Sequence, residues 1–135
     1  MKIRITLLVL GLALPDPAAG QPDLETARAA LEASRADAED AAFALERGRY
    51  ADAERLYRQL YVRLRGYPRR ALLLHDIALC VEAQGRHGEA LVLVRRYRRE
   101  AGDLMTAHQR RRADDWIRRL TERVRRSAPA PNGPR

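Results

Sequence analysis

The 135-residue chain is poor in cysteine, lysine and aromatic residues. Cys80 is the only cysteine, so no disulfide can form within the chain. Lys2 is the only lysine, tryptophan and phenylalanine occur once each, and aromatic residues make up 5% of the chain. Runs of β-branched residues, which are typical of strands, are also missing. These absences exclude a disulfide-stabilised scaffold and favour an all-α domain built from leucine and alanine.

The charge is strongly basic. Lysine and arginine together number 26 against 18 acidic residues, which gives a formal net charge of +8. Nearly all of the basic residues are arginines. A GC-rich genome favours arginine codons irrespective of function, and we take this as the simpler explanation of the excess.

The first 20 residues have the pattern of an export signal. Lys2 and Arg4 precede the ten-residue apolar run Ile5 to Leu14, and the small residues Ala18, Ala19 and Gly20 follow it. The run is shorter than the roughly 20 residues that span a bilayer, and no cysteine follows it to carry a lipid. We therefore expect cleavage after Gly20 and a periplasmic or secreted protein. An uncleaved membrane anchor is the alternative.

Apolar residues recur at helical spacing from residue 21 to residue 126, which we expect to form one helical domain. Helices are predicted over 23–47 and 50–64, followed by a hairpin from about Arg70 to Ala101 that is broken at Gly85. Gly102 is expected to end this hairpin and Asp103 to cap a last helix over 105–126, with Trp116 in the core. The tail over 127–135 is rich in proline and glycine, and we expect it to be disordered.

Two segments of the chain resemble each other. GRYADA at 48–53 aligns with GRHGEA at 85–90, an offset of 37 residues, and Leu56 then aligns with Leu93. An internal period of this size is typical of arrays in which each unit buries the apolar face of its neighbour.

Both segments resemble the tetratricopeptide repeat, a helix–turn–helix unit of about 34 residues. The resemblance implies an all-α fold of two such hairpins and a C-terminal capping helix, a short right-handed α-solenoid. Asp37 and Asp40 depart from the family pattern, because they occupy positions that are usually apolar. The residues that match its packing and turn positions are Ala41, Gly48, Ala53, Tyr57, Leu74, Ile77, Ala78, Val81, Gly85, Ala90, Val94 and Tyr97.

No pattern of catalytic or metal-binding residues occurs in the sequence. His75, His87 and His108 are scattered without a metal-ligand spacing. Asp114 and Asp115 are adjacent, so they point to different sides of a helix and cannot act as a carboxylate pair. We expect no enzyme activity, no cofactor and no small-molecule substrate. Cys80 is expected to be a buried apolar side chain, with an interchain disulfide or a reactive thiol as alternatives.

The family resemblance implies a function in protein binding. In tetratricopeptide proteins the leading helix of each hairpin lines a groove, so we predict a scaffold or adaptor of the cell envelope that binds another protein and that also self-associates. The candidate contact residues on the leading helices are Arg47, His75, Asp76 and Glu82.

An arginine-driven function is the alternative. The last helix carries Arg110, Arg111, Arg112, Arg118 and Arg119, which could bind an anionic envelope surface or lipid headgroups. Nucleic acid is a weaker expectation, because acidic residues are interspersed and aromatic residues that stack on bases are few.

Overall fold

The computed structural model describes residues 24–128 of the chain. Within this range the fold is all-α, as predicted, and contains no strand. The predicted signal over 1–20 and residues 129–135 of the predicted tail lie outside the described residues. The five α-helices are α1 (Leu24–Glu46), α2 (Tyr50–Arg63), α3 (Leu73–Ala83), α4 (His87–Glu100) and α5 (Ala107–Ser127), with short 3-10 turns at Pro68–Leu72 and Gly102–Leu104.

Each helix packs mainly on the next helix in the chain, so that the contacts run α1–α2–α3–α4–α5. One continuous core joins them. None of the helices in the described range is both long enough and apolar enough to cross a bilayer. The ten non-glycine residues that match the packing positions of the repeat are all buried: Ala41, Ala53, Tyr57, Leu74, Ile77, Ala78, Val81, Ala90, Val94 and Tyr97.

The turns after α1 and α3 have the same backbone geometry. Gly48 and Gly85 both have positive φ, at 71° and 79°, a conformation that ends helices and is unfavourable for residues with a Cβ atom. The amide of Arg49 donates to the carbonyl of Ala44, and the amide of Arg86 donates to Val81 in the same way. Because α2 and α4 then begin 37 residues apart and each has 14 residues, the sequence repeat is also a repeat of local structure.

The start of α5 differs from the prediction. Asp103 lies in the 3-10 turn Gly102–Leu104 and does not cap the helix. The cap is Thr106, whose hydroxyl accepts a hydrogen bond from the amide of Gln109 while the Gln109 side chain accepts one from the amide of Thr106. This reciprocal arrangement satisfies two amide donors at the end of the helix, which a carboxylate further upstream cannot reach. The helix therefore begins at Ala107 and not at Met105.

Small residues form the buried face of α1. Ala41 and Ala44 are fully buried and Ser34 is nearly so, and Leu45 packs against the core while it stays partly exposed. Asp37, which departs from the family pattern, forms an ion pair with Arg63 of α2, and Asp40 is exposed. Both acidic residues therefore avoid the core, which explains why α1 tolerates them.

Candidate functional site

Three of the four predicted contact residues lie together on α3. The ring of His75 meets the rings of Tyr97 and Trp116 edge-on, with centroids 5.5 Å away in each case. His75 Nδ1 is 2.9 Å from an Asp76 carboxylate oxygen, and Trp116 Nε1 donates to Glu82 at 2.6 Å. Residues of α3, α4 and α5 thus form one mixed polar and aromatic surface, which we call the α3–α5 face.

Within the α3–α5 face the rings of Tyr97 and Trp116 are buried, whereas the polar side chains that the sequence predicted to be exposed are half-buried. The His75 side chain keeps 43% of its surface exposed and Asp76 keeps 32%, and both rings pack against His75. Burial raises the pKa of the Tyr97 phenol, the Asp76 carboxylate raises it further and Arg112 lowers it. A partner at this face would therefore meet mainly a histidine and a carboxylate, with the buried rings of Tyr97 and Trp116 packed behind the histidine.

Arg47 lies apart from this face. It follows the last turn of α1, where its guanidinium stands 5.0 Å above the ring of Phe43, and Arg49 approaches the same ring at 5.9 Å. Phe43 is 50% exposed. The four predicted contact residues therefore do not form a single site, and Arg47 belongs to the outer side of α1.

A buried carboxylate that the sequence analysis missed joins the two hairpins. Glu54 of α2 accepts hydrogen bonds from Arg58 at 2.8 Å, Gln84 at 2.7 Å and Arg86 at 2.8 Å. Arg58 and Arg86 also reach Glu89 of α4. The repeat offers a signal that could have revealed this network, because the 37-residue offset aligns Glu54 with Leu91, a buried apolar residue.

The hydrogen bonds and charges around Glu54 lower its pKa by more than its burial raises it. Burial raises the pKa of this carboxyl, but the hydrogen bonds from Gln84 and Arg58 and the charges of Arg58 and Arg86 lower it, so that the pKa lies below the ordinary value of 4.5. Glu54 is therefore an ionised, fully partnered group. Through its hydrogen bonds it links α2 to the turn before α4.

Tyr61 forms a second link between α2 and α4. Its ring lies between the guanidinium groups of Arg70 and Arg96, which are 4.7 Å and 5.2 Å from the ring centroid. Its hydroxyl donates to Glu100 at 3.0 Å and accepts from Arg96 at 2.8 Å. Two of the many arginines are thus used to hold the array together.

The five arginines predicted to bind anions differ in their surroundings. Arg110 donates to the backbone carbonyls of Gly102 and Met105 and stabilises the turn before α5. Arg118 pairs with Asp115 at 2.7 Å. Arg111, Arg112 and Arg119 are exposed and form no ion pair within residues 24–128. The predicted anion site is therefore reduced to these last three arginines and their neighbours on α5.

Two shallow clefts lie on the surface of residues 24–128. One, of about 280 Å³, is lined by Gly66, Tyr67, Arg70, Ala71 and Glu100. Another, of about 350 Å³, contains His87, whose Nδ1 is buried without a hydrogen-bond partner in the described structure. Across residues 24–128, no three histidine, cysteine or acidic side chains are grouped closely enough to hold a metal ion.

Cys80 is a core residue. Its side chain is fully buried, and burial raises the pKa of its thiol to about 12, with smaller contributions from Asp76 and Glu54. A thiol in this state is a weak nucleophile at neutral pH.

Comparison of the chain with protein-family models, with curated proteins and with solved structures finds no match in any of the three.

Proposed function

We propose that this protein is a non-enzymatic adaptor or scaffold that binds another protein through the α3–α5 face. The observation that carries the proposal is the grouping of His75, Asp76 and Glu82 with Tyr97 and Trp116 across three helices. Tyrosine and tryptophan are enriched in protein interfaces because they combine a large apolar surface with a polar atom. Here both rings are buried and contact His75, and Trp116 also donates a hydrogen bond to Glu82, while His75 and Glu82 stay partly accessible to solvent.

We further propose that the architecture is a short solenoid of two tetratricopeptide-like hairpins capped by α5. The repeated turn geometry at Gly48 and Gly85 supports it, as do the buried alanines Ala53 and Ala90, which allow close approach between helices. The three extra residues of the 37-residue offset are accommodated between α2 and α3, where the 3-10 turn Pro68–Leu72 lies. In such an array α1 and α3 are the leading helices, and α5 covers the last hairpin.

Export to the cell envelope is part of the proposal. It rests on the sequence of residues 1–20 alone. Expression in a bacterial host, fractionation and mass spectrometry of the N-terminus test it. A mature chain that begins at Gln21 in the periplasm or medium is the expected result, and a cytoplasmic chain that retains Met1 would contradict it.

Affinity capture from a native envelope extract tests the binding function. We expect a discrete protein that is retained at high salt, because apolar and aromatic contacts are screened far less than exposed charges. The variant His75→Ala/Asp76→Ala should release this protein. The matched control Arg55→Ala/Gln59→Ala alters two exposed residues of α2 and should retain it. Equal loss with both variants, or capture of salt-labile polyanions alone, would contradict a partner at the α3–α5 face.

A second candidate function uses the arginines of α5 to bind anionic lipid headgroups. It is favoured by the exposed and unpaired Arg111, Arg112 and Arg119 in the described structure. Sedimentation with vesicles that contain an anionic phospholipid, at low and at high salt, tests this candidate. Binding that disappears at high salt and with neutral vesicles would support it.

A further inference from the structure

The two end helices of the array carry opposite charge. α1 contains six acidic residues and two arginines, whereas α5 contains eight arginines and three acidic residues. α1 packs on α2 and α5 packs on α4, and in the described structure α1 and α5 are not among the helix pairs that pack together. The opposite charges therefore lie on separate helices at the two ends of the helix array and do not neutralise each other within one molecule.

Few of these charges are satisfied within the molecule. All three acidic residues of α5 are already paired, Asp114 with Arg98, Asp115 with Arg118 and Glu122 with Arg125. Within residues 24–128, ion pairs are missing for four exposed carboxylates of α1 and for five exposed arginines of α5. The carboxylates are Glu32, Glu39, Asp40 and Glu46, and the arginines are Arg111, Arg112, Arg119, Arg123 and Arg126.

The unpaired charges have the same spacing on both helices. Glu32, Glu39 and Glu46 follow one another at intervals of seven residues, as do Arg112, Arg119 and Arg126. Seven residues are close to two helical turns, so each set forms a row along one side of its helix with about 10.5 Å between neighbours. Because the intervals are equal, alignment of the two helices brings all three pairs together at once. We call these sets the glutamate row and the arginine row.

We propose that copies of this chain associate head to tail, with the arginine row of one molecule against the glutamate row of the next. The glutamate row lies away from the core-facing residues Ala41 and Ala44 of α1. The arginine row lies away from Ala113 and Leu120 of α5 and runs beside the buried Trp116. Phe43 lies between Glu39 and Glu46 and adds an exposed apolar surface to the contact. Arg35 of α1 and Arg47, which follows the helix, reduce the acidic charge of this face without reversing it.

The arginine row borders the α3–α5 face, because Trp116 lies between Arg112 and Arg119 in the sequence and the charge of Arg112 lowers the pKa of Tyr97. The contact uses none of His75, Asp76 and Glu82, so it goes beyond the proposed function and does not depend on it.

Exposed ion pairs contribute little individually, so this association is weak and depends on salt. A head-to-tail contact uses two different surfaces, and each added molecule exposes a new free end. The average mass should therefore increase progressively with protein concentration at low salt. It should return to the monomer mass at high salt, where exposed charges are screened. Sedimentation velocity of the purified protein over a concentration series measures both effects.

Charge reversal identifies the surfaces. The triple variants Glu32→Arg/Glu39→Arg/Glu46→Arg and Arg112→Glu/Arg119→Glu/Arg126→Glu should each be monomeric at low salt. An equimolar mixture of the two should associate again. One variant carries arginines in both rows and the other carries glutamates in both rows, so every contact between them joins opposite charges. The control variant Arg55→Glu/Arg95→Glu/Arg99→Glu has the same change in charge as the arginine-row variant, on exposed residues of α2 and α4, and should associate like the wild type. Circular dichroism verifies that every variant is folded.

Four results would overturn the proposal. They are a wild type that stays monomeric at low salt, variants that associate as before, a mixture that stays monomeric, and a control variant that loses association to the same extent. Arginine-row variants that lose only vesicle binding, while the wild type is monomeric, would assign the row to lipid headgroups instead. Capture of a partner from extract is independent of all these results, so the proposed function can fail or succeed separately.

Discussion

At the scale of single residues, burial determines what the reactive groups of this chain can do. Cys80 shows this for the thiol, because its side chain is fully buried and its pKa is raised to about 12. At pH 8 almost none of it is thiolate, and reagents have no access to it. An interchain disulfide at this position would require local unfolding.

We therefore expect Cys80 to be unreactive toward an aromatic disulfide reagent at pH 8 in the folded protein, and to react fully in denaturant. Absorbance of the released thiolate measures this. In the background Cys80→Ala, the substitution Ala83→Cys places a thiol at an exposed position of the same helix and should react rapidly without denaturant. Rapid reaction of Cys80 in the native protein would contradict its position in the core.

Glu54 gives the corresponding prediction for a carboxylate. Because its pKa is lowered in the folded state, its contribution to stability is present above the ordinary value of 4.5 and is lost as the pH falls below it. Glu54→Gln should lower the free energy of unfolding at pH 7 by about 1–3 kcal/mol. It should also weaken the pH dependence of stability below pH 4.5. Denaturant unfolding from pH 3 to pH 7 measures both changes.

Glu89→Gln is the matched control for Glu54→Gln. Glu89 shares the partners Arg58 and Arg86, but its side chain is 42% exposed against 10% for Glu54. Since surface ion pairs contribute between about 0 and 1 kcal/mol, this change should have a small effect. Equal destabilisation by both substitutions would show that the burial of Glu54 does not account for its contribution to the free energy of unfolding.

At the scale of helices and turns, the close approach between helices depends on alanines in the second turns of α2 and α4. Ala53 and Ala90 are fully buried. We expect Ala90→Arg to lower the melting temperature strongly or to unfold the chain, because the core has no space for the guanidinium and no partner for its charge. Ala83→Arg, at an exposed position of α3, should melt near the wild-type temperature. Unchanged helicity and melting for Ala90→Arg, measured by circular dichroism, would contradict the packing of the hairpin.

Much of the helical architecture could be predicted from local signals, since helix-ending glycines and apolar spacing act within a few residues. Gly48 and Gly85 mark turns that the structure contains, and α2 begins at Tyr50 as predicted. The start of α5 was predicted wrongly because Gly102 and Asp103 resemble a stop and a cap, whereas the capping pair Thr106 and Gln109 follows four residues after Gly102. A threonine followed three residues later by a glutamine is itself a sequence pattern that predicts the start of a helix.

The polar contacts could not be predicted in the same way. Arg86 meets Glu54 across 32 residues and Trp116 meets Glu82 across 34 residues. Such pairs depend on how separate helices are placed, and arginine is too frequent in this chain for its partners to be chosen from sequence. The partial burial of His75 has the same origin, because it results from contacts with Tyr97 of α4 and Trp116 of α5.

At the scale of the whole molecule, α5 is held to the array by a limited set of contacts. Ala113, Trp116 and Leu120 are its buried residues. In a long repeat array a terminal element can unfold by itself, but a short array whose core is continuous should unfold as one unit. The single tryptophan reports on α5, whereas circular dichroism at 222 nm reports on all helices.

We therefore expect the two signals to give the same midpoint in denaturant. Tryptophan emission should shift to longer wavelength as Trp116, which is 6% exposed, becomes solvated. Trp116→Phe should lose the hydrogen bond to Glu82 and modestly lower the midpoint measured by circular dichroism, with helicity retained before the transition. An emission change that precedes the loss of helicity would show that α5 detaches first.

The repeated turn geometry has a consequence for how the molecule could be lengthened. Since α2 and α4 begin at equivalent points, Tyr50 and His87, the 37 residues from Tyr50 to Arg86 form a cassette whose two ends are interchangeable. A second cassette inserted after Arg86 would carry its own helix-ending glycine and its own Glu54 with Gln84 and Arg86 as partners. The first and last helices would keep their sequences. Duplication of this segment would place a copy of α2 against α3, in the position that α4 occupies now.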